Sequence, residues 1–129
     1  MLANSKAFSG FSVDDLEQAR KFYGETLGLT VTDLEMEGLL RLGVADGPGV
    51  LVYAKPDHVP ATFTVLNFPV PDIETAVDAL AARGVQFERY EAMASSFDDK
   101  GIFRGGGPLI AWFTDPAGNV LSVLEQADD

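Results

Sequence analysis

The sequence predicts an α+β fold in which two tandem βαβββ modules form curved sheets, with mixed and mostly antiparallel pairing, around a cavity. Two observations predict it. In each half of the chain, one β-type run, one amphipathic helix and three further β-type runs follow each other, and the second half repeats the order of the first. At 129 residues, of which 47% are apolar, the chain is expected to form a single domain, 1–129, with a sizeable core.

The first module is expected over about residues 5–55. A β-type run at 7–13 precedes Asp14 and Asp15, which supply a helix N-cap, and Gly28 supplies the C-terminal glycine of that helix. The apolar residues between them recur at helical spacing, at Leu16, Ala19, Phe22, Tyr23 and Leu27. Three strands are then predicted at 29–35, 38–44 and 49–55, and the turn sequence 46–49 (DGPG) joins the last two.

The second module is expected over about residues 62–126, after a linker at 56–61. Its first strand is predicted at 62–70, and its helix starts at Pro71-Asp72 and ends at Gly84. Its remaining strands are predicted at 85–90, 108–114 and 119–125. The loop 91–107 is long, polar and rich in glycine, which fits either a lid over a binding site or a merely mobile segment.

The two modules align with each other along most of their length. Residues 13–16 (VDDL) and 70–73 (VPDI) match at the helix starts, and Ala19 matches Ala76 at the same offset. The offset is larger for the residues after loop 91–107, so the extra length of the second module lies in that loop. Each module would make a small sheet with one helix on one face and an uncovered opposite face, which two modules can bury against each other or around a ligand.

Charge and composition exclude several classes of function. The formal net charge is −11, and the basic residues are scattered, so no basic stripe for nucleic acid or an anionic membrane is present. No apolar run approaches the ~20 residues that span a bilayer, no signal peptide is recognisable and there is no cysteine, so a cytoplasmic protein is expected. The acidic surface favours cationic partners or serves solubility alone.

At this point the chain resembles the vicinal oxygen chelate superfamily, which includes glyoxalase I, extradiol dioxygenases, fosfomycin-resistance enzymes and bleomycin-resistance proteins. The matching stretches are 12–29 (SVDDLEQARKFYGETLGL), 69–87 (PVPDIETAVDALAARGVQF) and 111–126 (AWFTDPAGNVLSVLEQ). The resemblance implies the glyoxalase/bleomycin-resistance fold and, in its enzymes, a divalent metal held by His, Glu or Gln from the first and last strand of each module. The family contains many chemistries, so the function has to come from the site itself.

The positions that the resemblance implies for metal ligands do not carry metal-binding side chains in this sequence. They correspond to Phe8, Val52, Val65 and Ser122. Glu125 lies an odd number of residues from Ser122 and would face the other side of its strand. The sole histidine, His58, lies in the linker and is expected to be solvated. We therefore expect no metal and no cofactor.

Strand alternation predicts the lining of the remaining cavity. Gly10 and Ser12 would share a face with Phe8, and Phe63 and Asn67 with Val65. Val120 and Leu124 would share a face with Ser122, and Trp112 would lie opposite Ser122 in the hairpin. In the first module the inward residues would be Leu40, Leu42, Val50 and Val52. The candidate ligand-binding residues are Phe8, Ser12, Asn67, Trp112, Thr114 and Ser122. Apolar walls with a few polar groups suit a small-molecule pocket, although the same side chains could simply fill a core.

Catalytic residues are poorly supplied. Ser122 has no candidate base, and an acid–base group could come only from Glu91, Asp98 or Asp99 in the long loop, with Lys100 or Arg104 as the electrophilic partner. Such a cluster is also typical of a solvated loop. Residues 105–107 are three glycines with no helix after them, so they are not a phosphate-binding loop.

Three functions are consistent with these observations. The first is a metal-free protein that sequesters a small aromatic or cationic molecule, similar in plan to bleomycin-resistance proteins. The second is a divergent metal-dependent enzyme, such as a lyase, isomerase or dioxygenase, with ligands at other positions. The third is a structural or regulatory partner domain with a filled core. The resemblance and the open sheet edges also predict a homodimer.

Overall fold

The computed structural model describes residues 1–126, and the chain divides into two compact units. The first unit is Met1–Pro60, and the second begins at Ala61. Each unit contains one four-stranded sheet. No helix among the described residues is long and apolar enough to cross a membrane.

The sheet of the first unit has the spatial order β1-β4-β3-β2. Its strands are β1 (Ser9–Val13), β2 (Thr30–Asp33), β3 (Leu39–Gly43) and β4 (Val50–Ala54). β1 and β4 are parallel, whereas β2–β3 and β3–β4 are antiparallel. The sheet is therefore mixed. Hairpins join β2 to β3 and β3 to β4, whereas the helical connection after β1 allows β1 to lie beside β4 in the same direction.

The helix of the first unit is α1 (Leu16–Lys21), and it continues as one π-helical stretch over Phe22–Thr26. Asp15 is the N-cap, since its Oδ1 accepts a hydrogen bond from the backbone N–H of Gln18 at 3.1 Å. Gly28 follows the helical segment with φ +77°, a conformation that glycine adopts without steric cost. Both predicted ends of the helical segment are confirmed.

The core of the first unit lies on the face of the sheet that packs against the helix. Leu40, Leu42 and Val52 are fully buried there, on the same face as the buried Phe11 and Val13. The prediction that Leu40, Leu42 and Val52 line a cavity is therefore wrong, whereas Val50, the fourth residue of that prediction, does border a cavity beside the β3–β4 hairpin. Alternation identified which residues share a face, but it could not decide which face the helix covers. The opposite face, which we call the open face of the first unit, carries Gly10, Ser12, Leu39, Arg41, Leu51 and Tyr53.

The second unit repeats the arrangement with the spatial order β5-β8-β7-β6. Its strands are β5 (Thr64–Val70), β6 (Phe87–Glu88), β7 (Ile110–Thr114) and β8 (Val120–Glu125). β5 and β8 are parallel, and the other two pairings are antiparallel. The buried face contains Phe113, Leu121 and Val123 together with Ile73 and Val77 of the helix α2 (Ile73–Ala82).

Polar side chains fix the N-terminus of α2 and the β7–β8 turn. Asp72 caps α2 by accepting from the backbone N–H of Thr75 at 3.2 Å, and the carboxylate of Glu125 accepts from the N–H of Ile73 at 3.1 Å. Glu125 thus faces the helix, as its odd spacing from Ser122 predicts. In the turn, the buried Asp115 accepts from the backbone N–H of Ala117 and of Asn119 and from the Asn119 side chain. These hydrogen bonds explain the Asp-Pro-x-Gly-Asn sequence of the turn.

β5 contains a bulge between Thr64 and Leu66. Thr64 pairs with Val120, Leu66 pairs with Leu121, and Val65 is the extra residue. Thr64 and Asn67 therefore reach the same face although they are an odd number of residues apart. Val65 has no partner in the register and Phe63 precedes β5, so the predicted shared face of Phe63, Val65 and Asn67 stays a prediction.

Segment 91–107 follows a defined path in the structure. It starts with a 3-10 helical stretch, Glu91–Ser96, and single β-bridges join Phe97 to Phe103 and Phe103 to Ile110. Backbone hydrogen bonds also join Arg104 N–H to Ser96 C=O and Asp98 N–H to Ile102 C=O. Phe103 thereby continues the sheet beyond β7, and Ile102 is fully buried.

Candidate functional site

The face of the second sheet opposite the buried Phe113, Leu121 and Val123, which we call the open face of the second sheet, carries most of the predicted polar groups. Trp112 pairs with Ser122 across the β7–β8 hairpin, and Asn67 pairs with Ser122 across β5–β8. Thr114, opposite Val120, lies on the same face and is half-buried. The structure thus brings Asn67, Trp112, Thr114 and Ser122 together on one surface of the second unit.

Ser122 and Asn67 form a hydrogen-bonded pair with different exposures. The Ser122 hydroxyl donates to the Asn67 Oδ1 at 2.6 Å, and Ser122 is fully buried whereas Asn67 is exposed. The serine fixes the orientation of the amide, and the amide nitrogen remains as an outward-facing donor. Both residues were predicted to bind a ligand. Only Asn67 is accessible to one, and Ser122 orients the Asn67 amide.

Trp112 lies at the centre of an aromatic cluster, which we define as Tyr90, Phe97, Phe103 and Trp112. Its ring centroid is 5.5 Å from that of Tyr90, 6.1 Å from that of Phe97 and 5.9 Å from that of Phe103, in edge-on or tilted arrangements. The indole Nε1–H donates to the Thr64 hydroxyl at 3.1 Å, which fixes the plane of the ring. All four rings are half-buried, so part of the aromatic surface remains accessible.

Asp98 holds the segment that supplies two of these rings. Its Oδ1 accepts from the backbone N–H groups of Lys100 and Ile102, both at 2.9 Å, and its Oδ2 accepts from Arg104 Nε at 2.9 Å. Burial alone would raise the pKa of the Asp98 carboxyl, but the hydrogen bonds from Ile102, Arg104 and Lys100 outweigh it and lower the pKa below its ordinary value. Asp98 is thus an ionised anchor of segment 91–107.

The basic residues of the segment are engaged in ion pairs with α2. Lys100 Nζ lies 3.1 Å from Asp78 and 3.6 Å from Glu74, and Arg104 reaches Glu74 at 4.0 Å in addition to Asp98. The hydrogen bond to Asp78 raises the pKa of Lys100. Asp98, Lys100 and Arg104 belong to the acid–base cluster that the sequence suggested. In the structure Lys100 and Arg104 attach segment 91–107 to α2, and Asp98 pairs with Arg104.

The first unit contains the other two predicted site residues. Phe8 precedes β1 and is 64% exposed, and Ser12 lies on the open face opposite Tyr53. Ser12 Oγ lies 2.6 Å from His58 Nδ1, and both residues are half-buried. The expectation that His58 is merely solvated is therefore wrong, because the linker folds back onto the end of β1.

The positions that the sequence resemblance implies for metal ligands do not fit a divalent metal. The ligand positions that the sequence resemblance implies carry Phe8, Val52, Val65 and Ser122, and the hydroxyl of Ser122 is bonded to Asn67. Within residues 1–126, no group of three or more His, Cys, Asp or Glu side chains could hold a metal ion. Apolar side chains and a buried hydroxyl that is already paired offer none of the donors that such ions prefer.

Sequence reasoning missed three residues of these surfaces. Thr64 was missed because a bulge leaves no mark in strand alternation, and His58 because its partner is distant in the sequence. Tyr90 was missed because the sequence predicted it at the end of strand 85–90, whereas the strand contains only Phe87 and Glu88 and Tyr90 is the N-cap residue of the 3-10 helical stretch that follows. Phe97 and Phe103 were visible as aromatic residues in a polar loop, which was the available signal for the cluster.

Solved structures share this fold at low sequence identity. A glyoxalase family protein from Enterococcus faecalis is 19% identical, with a TM-score of 0.69 over 97% of this chain and 100% of that one. TnmS3, an antibiotic binding protein from Streptomyces sp. CB03234, is 21% identical, with a TM-score of 0.66 over 96% and 98%. A glyoxalase/bleomycin resistance protein from the same organism is 22% identical, with a TM-score of 0.59 over 92% and 99%.

The comparison with family models gives the classification, whereas no curated protein sequence matches the chain. The model of the Glyoxalase/Bleomycin resistance protein/Dioxygenase superfamily matches residues 8–123. That range extends from the residue before β1 into β8, the last strand of the second unit, and agrees with the fold of the solved structures. The chain therefore belongs to the Glyoxalase/Bleomycin resistance protein/Dioxygenase superfamily.

Proposed function

We propose that the protein binds a small molecule with an aromatic part on the open face of the second sheet, without using a metal. The observation that carries the proposal is the aromatic cluster around Trp112. Four half-buried rings in edge-on or tilted contact offer a firm apolar surface, since packing and the Trp112–Thr64 hydrogen bond restrict their motion. A planar ligand gains contact area on such a surface at little cost in side-chain entropy.

The neighbouring polar groups support a binding role. The Asn67 amide, held by Ser122, supplies an oriented hydrogen-bond donor at the edge of the aromatic surface. Apolar walls with one or two fixed polar groups are the usual composition of small-molecule sites. The net charge of −11 favours a cationic ligand through long-range attraction. TnmS3, which shares the fold, is an antibiotic binding protein, and this agrees with sequestration of a drug or metabolite.

Binding can be tested at one atom, because Trp112 is the only tryptophan. Its indole N–H gives a single resonance in a proton–nitrogen NMR spectrum. We expect naphthylmethylamine to shift this resonance, and calorimetry to show that Trp112→Ala weakens the binding at least about tenfold. Phe63→Ala is the matched control, because Phe63 is 68% exposed in the same unit and outside the cluster. Equal affinity in the Trp112→Ala variant would remove Trp112 from the site.

The proposal that the protein binds its ligand without a metal ion needs a separate test. Elemental mass spectrometry of untagged protein, after incubation with zinc, nickel, manganese and ferrous iron, is expected to find none of these metals near one per chain. A stoichiometric metal would instead support the divergent lyase, isomerase or dioxygenase, with ligands other than Phe8, Val52, Val65 and Ser122.

A second candidate function is covalent catalysis, and the Ser12–His58 contact favours it. A hydroxyl 2.6 Å from an imidazole nitrogen is the pairing that activates a serine nucleophile: Oγ attacks the carbonyl carbon of an ester while its proton passes to Nδ1. The C–O bond to the alcohol then breaks, and the alcohol leaves with that proton as the acyl-enzyme forms. A fluorophosphonate probe should then label wild type and Ser9→Ala but not Ser12→Ala. Equal labelling of all three proteins, or no labelling, would exclude this candidate.

The proposed assembly is a homodimer of a single-domain chain in the cytoplasm. The edge strands favour association, because β1 and β2 of the first sheet and β5 and β6 of the second each have only one partner within their sheet. Each chain of the dimer would then carry one copy of the Trp112 surface.

A further inference from the structure

The first unit contains a cavity of about 140 Å³ beside its hairpin β3–β4. Its walls are formed by Phe8, Leu34, Pro48, Val50, Leu51 and Arg41. We infer that this cavity binds a small organic monoanion with an apolar body, whose carboxylate is held by Arg41. The inference is independent of the function proposed for Trp112, because all of the residues that carry it lie in the first unit.

The first argument is the lack of a carboxylate partner for Arg41. The chain has 20 acidic and 9 basic residues, and Arg20, Lys55, Lys100 and Arg104 all form ion pairs. Within residues 1–126, no carboxylate lies within 4.0 Å of the Arg41 guanidinium, and that side chain makes no hydrogen bond there. Lys6 and Lys21 also form no ion pair within the described residues, but of these three cations only Arg41 lines the cavity, where its exposed guanidinium can donate to an external anion.

The second argument is the way Gly49 accommodates the arginine. Gly49 has φ +83°, and a Cβ at this position would lie 3.1 Å from Arg41 Cγ and 2.6 Å from the Leu42 carbonyl oxygen. The stem of Arg41 therefore packs across a position that only glycine can occupy without strain. This packing restricts the stem, so less side-chain entropy is lost when an anion binds.

The third argument is the size and polarity of the cavity. The cavity is partly open to solvent, and its volume of about 140 Å³ is close to that of an enclosed apolar cavity of ~150 Å³ that takes up benzene. The other five side chains named above are apolar, so the body of the ligand has to be apolar as well. A single benzene-sized ring with one carboxylate fits these conditions, and the negative charge of the protein means that only a local cation can recognise it.

The test uses benzoate and benzyl alcohol as matched probes, with calorimetry for affinity and leucine methyl resonances for location. We expect benzoate to shift the methyl resonances of Leu34 and Leu51 and to bind at least about tenfold more tightly than benzyl alcohol. Arg41→Met should remove this preference while keeping an apolar stem in the cavity. Lys21→Met is the control for net charge, because it removes one positive charge on α1, away from the cavity.

Each outcome decides the inference. A preference for benzoate in wild type and Lys21→Met, lost in Arg41→Met, supports it. The inference is overturned if benzoate shifts no Leu34 or Leu51 resonance, if the two probes bind wild type equally, or if Arg41→Met keeps the preference. Circular dichroism of Arg41→Met checks that its fold is retained, and Arg41→Gln serves as a second variant if Arg41→Met is unfolded.

Discussion

Replacing Asp98 with alanine removes the acceptor of three hydrogen bonds at once. The carboxylate accepts from the backbone N–H of Lys100 and Ile102 and from Arg104 Nε, each at 2.9 Å. Two of the three donor residues also connect the segment to the rest of the second unit. Ile102 is fully buried, and Arg104 also reaches Glu74 of α2. The substitution therefore tests whether segment 91–107 is held by this carboxylate.

The expected loss of unfolding free energy can be estimated from the three hydrogen bonds taken one at a time. A hydrogen bond to a charged acceptor contributes roughly 1.5–3 kcal/mol, and a donor that water can reach recovers most of that loss. Water can reach the donors of Lys100 and Arg104, which are exposed, but not easily that of Ile102. We expect Asp98→Ala to lower the free energy of unfolding by about 2–3 kcal/mol, and Asp98→Asn by about 1 kcal/mol, because the amide oxygen can still accept from both backbone groups.

The pH dependence gives a second measurement of the same effect. The pKa of Asp98 in the folded protein lies below its ordinary value of 3.8, so ionised Asp98 stabilises the fold fully above that ordinary value. This stabilisation is lost as the pH falls through the lower, folded-state pKa. The difference in unfolding free energy between wild type and Asp98→Asn should therefore be largest at neutral pH and shrink below pH 3.8.

Urea denaturation, followed by the fluorescence of Trp112, measures these differences. Asp99→Asn is the matched control, because within residues 1–126 the Asp99 side chain accepts no hydrogen bond and only its backbone carbonyl accepts from Arg89. The reasoning is refuted if Asp98→Ala and Asp99→Asn lower the unfolding free energy equally. It is also refuted if the wild type minus Asp98→Asn difference is the same at neutral pH and in acid.

Three further predictions concern stability and assembly. Asp72→Ala removes the N-cap of α2 and should cost about 1 kcal/mol in a denaturation experiment, and no loss would show that the cap contributes nothing. Gly84→Ala should cost about 1 kcal/mol through backbone strain alone, because φ is +93° and no atom lies within 4 Å of the added Cβ. A stabilised Gly84→Ala variant would contradict this assignment. Light scattering coupled to size exclusion should give the mass of a dimer, and a mass near 13.8 kDa would exclude it.

The sequence predicted the fold well because its signals are local. Caps at Asp15 and Asp72, glycines at 28 and 84, and the two turn sequences mark the element boundaries, and the repeat confirms their order. The two open sheet faces were predicted less well because they depend on contacts between residues that are far apart in the sequence. Val52 shares a face with Leu40 as alternation requires, but only the packed structure shows that this face meets the helix. The bulge in β5 and the Ser12–His58 contact likewise have no local sequence signal.

The pairing of the first strand with the last in each unit has a consequence for folding during synthesis. Strands β2 to β4 can form hairpins as soon as they leave the ribosome, but β1 has no partner until Val50–Ala54 has been made. Closing that parallel pair joins distant parts of the chain and should be the slow step for each unit. Because the partner of β1 lies in the first half of the chain, the first sheet can close before the second exists, and β5 then waits only for β8.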